Sequence, residues 1–379
     1  MKLYRGSEVD DFLRCRLRWS YAWVENLKAK RPDGKLFFGT LAHKFLELYY
    51  RWDALEASLG MRKLFDETDT SLMEQAELDD LWELAEGVTK SYREQWKQQD
   101  EKHQTIATEL TFAIPLTDKI GYTGTIDLVY LDEDNRLWFS DHKFTNSIER
   151  YADAAEMNRQ ISRYWWALQR LVAGEGYVMS VNGWVPVRDA AWLGEDSWQT
   201  RTKFAGKEVA GFVYDLALRE IPKEPKLLQK GGLSKDKSQH TTYDIYRKAL
   251  LEHLGLQDPV TRWIPDEYQD IMNHLLAQET EEGNRFFRRV KVTRNQAELE
   301  SAMTEFLNIA KEADTIRHYG KIRKARSIYR NIIIDKCSWD CPFKALCCGE
   351  MDGSNTTLIR NLGYEKREEQ ADANLLKTN

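Results

Sequence analysis

Apolar positions recur along the chain with two periods, and the places where the period changes outline its elements. Residues 7–26 and 40–58 repeat at helical spacing, with Leu41, Phe45, Leu48 and Tyr49 on one face of the second run. Between Asp66 and Glu86 nine acids occur with no Lys or Arg, interleaved with Leu72, Leu78, Leu81, Trp82 and Leu84. Such a run reads as a solvated helix face, and its charge would repel a nucleic acid. The period then changes to two. TELTFAIPL, YTGTIDLVYLD and NRLWFSDHKF are successive strand runs with turn signals at Gly121 and at Asp132-Glu133-Asp134-Asn135; they predict an antiparallel meander. Helical spacing returns over 150–173, around NRQISRYWWALQRLV.

Beyond residue 174 the pattern is less regular. GYVMSVNGWVPV, KEVAGFVYDLAL and NRFFRRVKVTR fit strands, 243–254 and 266–281 fit helices, and 295–319 fits one long helix. The Lys- and Gly-rich segment KEPKLLQKGGLSKDKSQHTT is expected to be a mobile loop, and residues 349–379 a loosely attached polar tail. No internal repeat or clear linker divides the chain. One core over residues 1–348, with helical insertions at about 174–300, is therefore expected.

Composition narrows the class. The 379 residues are 42% hydrophobic and 12% aromatic, enough for a sizeable core. A net charge of −6 gives no global basic signature, so a polyanionic partner would need a local patch. The start, MKLYRGSEVDDF, has no apolar signal region, and no run approaches the roughly 18–20 apolar residues that span a bilayer. A soluble, cytoplasmic protein with no membrane partner is the expectation. The five cysteines are Cys15, Cys337, Cys341, Cys347 and Cys348. An odd count, with four of them in residues 337–348, suits a metal site better than a disulfide framework.

The candidate chemistry starts at FSDHKF. Asp141 and Lys143 follow the apolar run Leu137-Trp138-Phe139 and, two residues apart, share one strand face. Charges at a strand edge often do no more than prevent aggregation. Here a second acid, Asp127, lies on the preceding strand between Ile126 and Leu128-Val129, where an unpaired carboxylate is costly. A hairpin through Asp132–Asn135 would bring the two carboxylates together, and like charges share a site only if a cation lies between them. Hard oxygen ligands suit Mg²⁺ or Mn²⁺, and Lys143 beside them would stabilise charge on a phosphate or orient a water.

Asp127 followed by Asp141-His142-Lys143 resembles the PD-(D/E)XK nuclease superfamily, with Ile126 standing where the usual Pro would be. Further matches point to its RecB-like branch. GTLAHKFLE resembles that branch's G-x-x-x-H helix, Glu109 opens the first strand, and QISRYWWAL resembles its Q-x-x-x-Y motif. The resemblance implies an α/β (α+β) fold: a restriction-endonuclease-like core of a mixed central sheet flanked by helices. It implies metal binding by His43, Asp127, Asp141 and the carbonyl of His142, and a catalytic set of Lys143, Gln160, Tyr164 and Glu109. Some RecB-like nucleases, AddAB-type recombination nucleases and CRISPR adaptation exonucleases among them, carry a 4Fe–4S cluster with one ligand before the nuclease motifs and three after. Cys15, Cys337, Cys341 and Cys347 match that layout, although C-x3-C replaces the usual C-x2-C and Cys348 adjoins Cys347. A four-thiolate zinc site is the alternative.

The most basic stretch is RHYGKIRKARSIYR, with Arg317, Lys321, Arg323, Lys324, Arg326 and Arg330 and interleaved Tyr319 and Tyr329. It is expected to track DNA, single strands above all, with the Lys-rich loop 223–237 as a weaker second surface. The expected activity is exonucleolytic, at DNA ends. An endonuclease with the same site and a non-catalytic DNA-end binder are the alternatives. No G-x-x-x-x-G-K-[ST] loop is present, so an unwinding helicase, or a recombination partner, would be a separate chain.

Overall fold

The computed structural model describes residues 1–180, 183–189, 206–229, 231–256, 264–320, 328–339 and 341–367. The chain opens with strand β1 (Lys2–Arg5), helices α1 (Gly6–Arg14) and α2 (Arg16–Trp19), and strand β2 (Leu27–Ala29). Helices α3 (Gly34–Arg51), α4 (Ala54–Glu67) and α5 (Gln75–Asp100) precede the long strands β3 (Gln104–Pro115), β4 (Ile120–Leu131) and β5 (Leu137–Thr145). Helices α6 (Ile148–Asp153) and α7 (Arg159–Val172) follow, then strands β6 (Tyr177–Ser180), β7 (Gly183–Pro186), β8 (Val209–Leu218) and β9 (Phe287–Val292). Helices Tyr243–His253 and Asp266–Leu276 lie between β8 and β9, and the long helix Gln296–Gly320 comes after them.

The strands form one mixed sheet in the order β7-β6-β3-β4-β5-β8-β9, with β1 attached to β4. The expected meander is present: β3, β4 and β5 are antiparallel neighbours. The parallel pairs are β5 with β8 and β1 with β4. On one edge of β4, β1 pairs with Ile120–Thr123 and β5 with Leu128–Leu131. Residues 124–127 therefore face a gap in the sheet, and the site is built around that gap.

Both faces of the sheet are covered. On α7, Ile161, Trp165, Leu168 and Val172 are buried at spacings of four, three and four residues, one helical stripe. This stripe and the helix 296–320 pack on one face, where Tyr122 meets Phe306 at 4.7 Å between ring centres. On the other face Leu41 and Phe45 of α3 pack with Val88 and Tyr92 of α5. Side-chain caps fix where helices start: Asp33 accepts from the Lys35 and Leu36 amides, and Asn158 from that of Gln160.

Four expectations change. The run 7–26 breaks at Cys15, whose extended backbone (φ −163°, ψ 114°) ends α1. The run 40–58 breaks at Trp52, because the Asp53 side chain caps a new helix. The tail is tied down as far as Arg367: residues Thr356–Gly363 form a helix, and β10 (Tyr364–Lys366) pairs antiparallel with β2. The buried Tyr364 stacks on Phe343 at 5.5 Å, a contact that polar composition alone concealed. The Lys-rich loop buries Leu233, while Lys235 and Lys237 pair with Glu267 and Asp270. Among the described residues no helix is long and apolar enough to cross a membrane.

Candidate active site

Asp127 sits where β5 turns away from β4. Its Oδ2 accepts the backbone N–H of His142 at 2.7 Å, so the carboxylate takes the place of the missing ladder bond and grips the strand that carries Asp141. Asp141 and Lys143 share a face, as period two requires. Asp141 is buried; its Oδ1 accepts from Gln160 Nε2 at 3.1 Å, and its Oδ2 has no hydrogen-bond partner. Gln160 and Tyr164 lie one turn apart on α7, and the Tyr164 ring meets Phe112 edge-on at 6.0 Å.

Glu109 lies across from Asp127, between the pairs Thr108↔Leu128 and Leu110↔Ile126. Its φ of 49° is left-handed, a conformation non-glycine residues avoid and one that recurs where a side chain must be aimed. His43, on α3, completes the group. Its Nδ1 is 3.5 Å from Asp127 Oδ2 and 3.7 Å from Glu109 Oε1. Ligands around one octahedral Mg²⁺ at about 2.1 Å stand about 3–4 Å apart, so this spacing fits one ion. Among the described residues, His43, Glu109 and Asp127 are the trio whose ligand atoms all lie within 4.8 Å of one another. The expected ligand set had Asp141 and His142 in place of Glu109. Glu109, expected in the catalytic set, lies with His43 and Asp127 in the group that could hold a metal ion, and Asp141 lies beside that group.

The charges reinforce this picture. Burial disfavours a charged imidazole at His43, but Asp127 and Glu109 overcome it and push His43 up to about 9. Burial also opposes ionisation of Asp127, yet His43 and His142 hold its carboxyl below the usual range. Asp141 is pushed up to about 6 by burial and by Asp127, against the pull of Lys143. Glu109 is raised by burial, with His43 opposing. Lys143 is raised by Asp141, against burial. The buried Asp141, whose Oδ2 is unpartnered, and the half-buried Asp127 form a donor set that a divalent cation would complete.

A profile of the PD-(D/E)XK nuclease superfamily matches residues 6–348. The chain belongs to the PD-(D/E)XK nuclease superfamily. It is thus a nuclease, a hydrolase of a class that uses divalent metals, and its mixed sheet flanked by helices is the restriction-endonuclease-like arrangement. A search of curated proteins finds no match.

Around this candidate centre the structure adds residues that sequence reasoning missed. The His142 ring is buried and stacks on Tyr50 at 5.6 Å; its Nδ1 is 3.7 Å from Asp127 and its Nε2 3.8 Å from Asp215. Asp215 accepts from Tyr92 at 2.5 Å and from Arg289 Nε at 2.9 Å, and Arg289 also pairs with Asp100 at 2.7 Å. This buried network braces β5 from behind. Its signal was present in KEVAGFVYDLAL, an isolated acid in an apolar strand, the same signal that marked Asp127.

The expected DNA-tracking stretch fares differently. Lys321, Arg323, Lys324 and Arg326 lie outside the described residues. Arg317 does not face solvent: it ion-pairs with the buried Glu8, donates to the Trp23 carbonyl at 2.7 Å and lies over Trp19. A buried carboxylate needs such a partner, and that need claims Arg317. Arg330 pairs with Glu350 at 3.2 Å and leans on Cys347.

The five cysteines line one cavity of about 240 Å³, with Leu17, Ile332, Ile333, Phe343 and Met351 among its walls. Cys15 is brought there by the break between α1 and α2; its sulfur accepts the Asn331 N–H at 3.5 Å. Cys15, Cys337, Cys341 and Cys347 are half-buried, and Cys348 is exposed. Arg18 and Arg330 stand beside Cys341 and Cys347, cations suited to thiolate or cluster charge. Burial pushes the Cys347 thiol up, with Arg330 opposing. The donor set is all-thiolate, which fits zinc or an iron–sulfur cluster.

Proposed function

We propose that this chain is a cytoplasmic, metal-dependent deoxyribonuclease that hydrolyses DNA from its ends, preferring single strands. Residues 1–348 form one nuclease domain, closed by a 4Fe–4S cluster on Cys15, Cys337, Cys341 and Cys347. The observation that carries the reading is the buried Asp141, with one oxygen unpartnered, beside the half-buried Asp127, His43 and Glu109. His43, Glu109, Asp127 and Asp141 would hold Mg²⁺ or Mn²⁺, which when bound would polarise a phosphate oxygen and acidify a water. Lys143, kept charged by Asp141, faces the negative charge that develops on the phosphate. Gln160 fixes the Asp141 carboxylate, and Tyr164 lines the adjoining cavity with Gln160.

End-directed cleavage of single strands rests on the likeness to the RecB-like branch, from His43 through Glu109, Asp127 and Asp141-x-Lys143 to Gln160-x-x-x-Tyr164. The iron–sulfur assignment rests on the likeness of the layout, one cysteine before the nuclease motifs and three after, to that of the RecB-like nucleases that carry such a cluster. Strand separation would be the task of a separate helicase chain.

The test is digestion of 5′- and 3′-labelled linear DNA, single- and double-stranded, by anaerobically purified protein with Mg²⁺ or Mn²⁺, beside circular single strands. Linear strands should shorten from an end while circles survive, and Asp127→Asn and Lys143→Ala should abolish the reaction. Cut circles would make the enzyme an endonuclease. Binding without cleavage by the unaltered protein would leave a DNA-end binder.

A further inference from the structure

A second cavity, of about 230 Å³, opens beside the catalytic pair in the sheet gap between β1 and residues 124–125 of β4. Its chemistry is the reverse of the metal site. Arg163 of α7 is 3% exposed; its Nη2 pairs with Asp10 at 2.9 Å, and its Nη1 is buried with no hydrogen-bond partner. That free end lies against Gly6, the first residue of α1: a Cβ on Gly6 would stand 2.9 Å from Arg163 Nη1. Glycine is what lets the guanidinium reach the helix start. No side chain caps α1, so its nine-residue helix presents uncapped amides and a positive dipole end to the same cavity. Arg5 and Asp10 also line it, leaving a net positive balance. Gln160 and Tyr164 form the wall shared with the catalytic centre, Gln160 being the residue that holds Asp141.

A pocket of guanidinium and amide donors selects an oxyanion, and a planar fork beside a helix N-terminus matches phosphate oxygens. We infer that this cavity is a subsite for a phosphate of the substrate strand, next to the scissile one, held by Arg163 and the start of α1. The inference rests on the nuclease reading for the identity of the strand. A phosphate seated there would fix the register of the DNA against Asp141, through the wall that Gln160 and Tyr164 supply.

The test uses the full chain in Ca²⁺ without Mg²⁺ or Mn²⁺, and a set of single-stranded oligonucleotides. Each carries one neutral methylphosphonate linkage at a different position, and one pair differs only in a 5′-phosphate or 5′-hydroxyl. Binding is read by fluorescence anisotropy. For the unaltered protein, neutralising one phosphate should weaken binding about tenfold or more, the loss of a charge-assisted bond. In Arg163→Gln that penalty should vanish while the others stay. Gly6→Ala, which pushes Arg163 Nη1 aside, should reduce the same penalty and does not depend on the fold tolerating loss of the arginine. The 5′-hydroxyl arm tells whether the sensitive group is terminal or internal. One pattern of penalties in all three proteins would overturn the subsite, as would equal penalties at every linkage. Protein that shows the predicted pattern but never cleaves in Mg²⁺ or Mn²⁺ loses the nuclease reading and keeps the subsite. Protein that cleaves but shows one pattern throughout loses only the subsite.

Discussion

At neutral pH Asp141 is ionised at a cost, because it is buried beside a second carboxylate and is pushed up to about 6. Lys143 and His43 offset part of that repulsion, and a bound cation would relieve the rest. The sign follows: a carboxyl raised in the folded state favours folding when neutral and opposes it when charged. Asp141→Asn should therefore melt above the unaltered protein in EDTA at pH 7. Mg²⁺ or Mn²⁺ should stabilise the unaltered protein and leave the variant unmoved. A metal-induced shift retained in the variant would remove Asp141 from the ligand set. Gly124 makes a second claim at this scale. A Cβ there would stand 2.7 Å from Tyr164 Cε1 and 3.1 Å from Phe112 Cζ. Gly124→Ala should displace the Tyr164 ring, cost about 1–3 kcal/mol of stability, and slow cleavage more than it weakens metal binding. Full turnover in that variant would mean that Tyr164 needs no fixed position.

The β4–β5 turn decides how the two acids meet, since it sets the register that places Asp127 next to the amide of His142. Asp132 holds that turn. Its Oδ1 accepts the amides of Asp134 and Arg136 at 3.0 and 2.9 Å, and its Oδ2 accepts from Arg136 Nε and Trp138 Nε1 at 2.8 and 2.9 Å. Asn135 takes the positive φ, 62°, that lets the chain reverse. Slight burial tends to raise Asp132, but these bonds hold its carboxyl below the ordinary range. A depressed carboxyl contributes stability above its unfolded value, about 4, and loses it as pH falls through the lower folded value. Acid unfolding monitored by circular dichroism should therefore show a steeper loss below about pH 4 in the unaltered protein than in Asp132→Asn. Equal slopes would mean that the turn is held by backbone geometry alone.

Across the whole molecule, the cysteine cavity joins Cys15 to residues more than three hundred positions away. Closing so long a loop costs entropy that grows roughly as (3/2)RT ln n, and the bonds of the proposed cluster would offset it. Anaerobically purified protein should be brown, with about four irons per chain. Cys15→Ser should lose iron and melt earlier, because the break between α1 and α2 is then no longer anchored to residues 337–347. Cys348→Ser should keep both iron and stability, since Cys348 is exposed. Colourless protein with stoichiometric zinc would replace the cluster while leaving the nuclease centre untouched.

The parts of this protein that were legible along the chain are those whose geometry is local. Asp141 and Lys143 are two residues apart on a strand, Gln160 and Tyr164 one turn apart on a helix, and β4 and β5 are joined by a short turn with strong turn residues. Fixed periods of 2 and 3.6 carry such relations without reference to the rest of the fold. The close approach of His43, Glu109 and Asp127 could be expected only through family likeness, and the fold alone set its distances. Other features had no local signal. Arg317, one of the most suggestive cations in the basic stretch, is drawn inside by the buried Glu8. The polar tail forms a strand against β2, with Tyr364 packed on Phe343. Strand β1 enters beside β4 and leaves the gap in which Arg163 meets the start of α1. The physical reason is common to all three. A buried charge, an aromatic or a strand edge must find a partner, and sequence shows the need while only the packed chain decides which distant residue meets it.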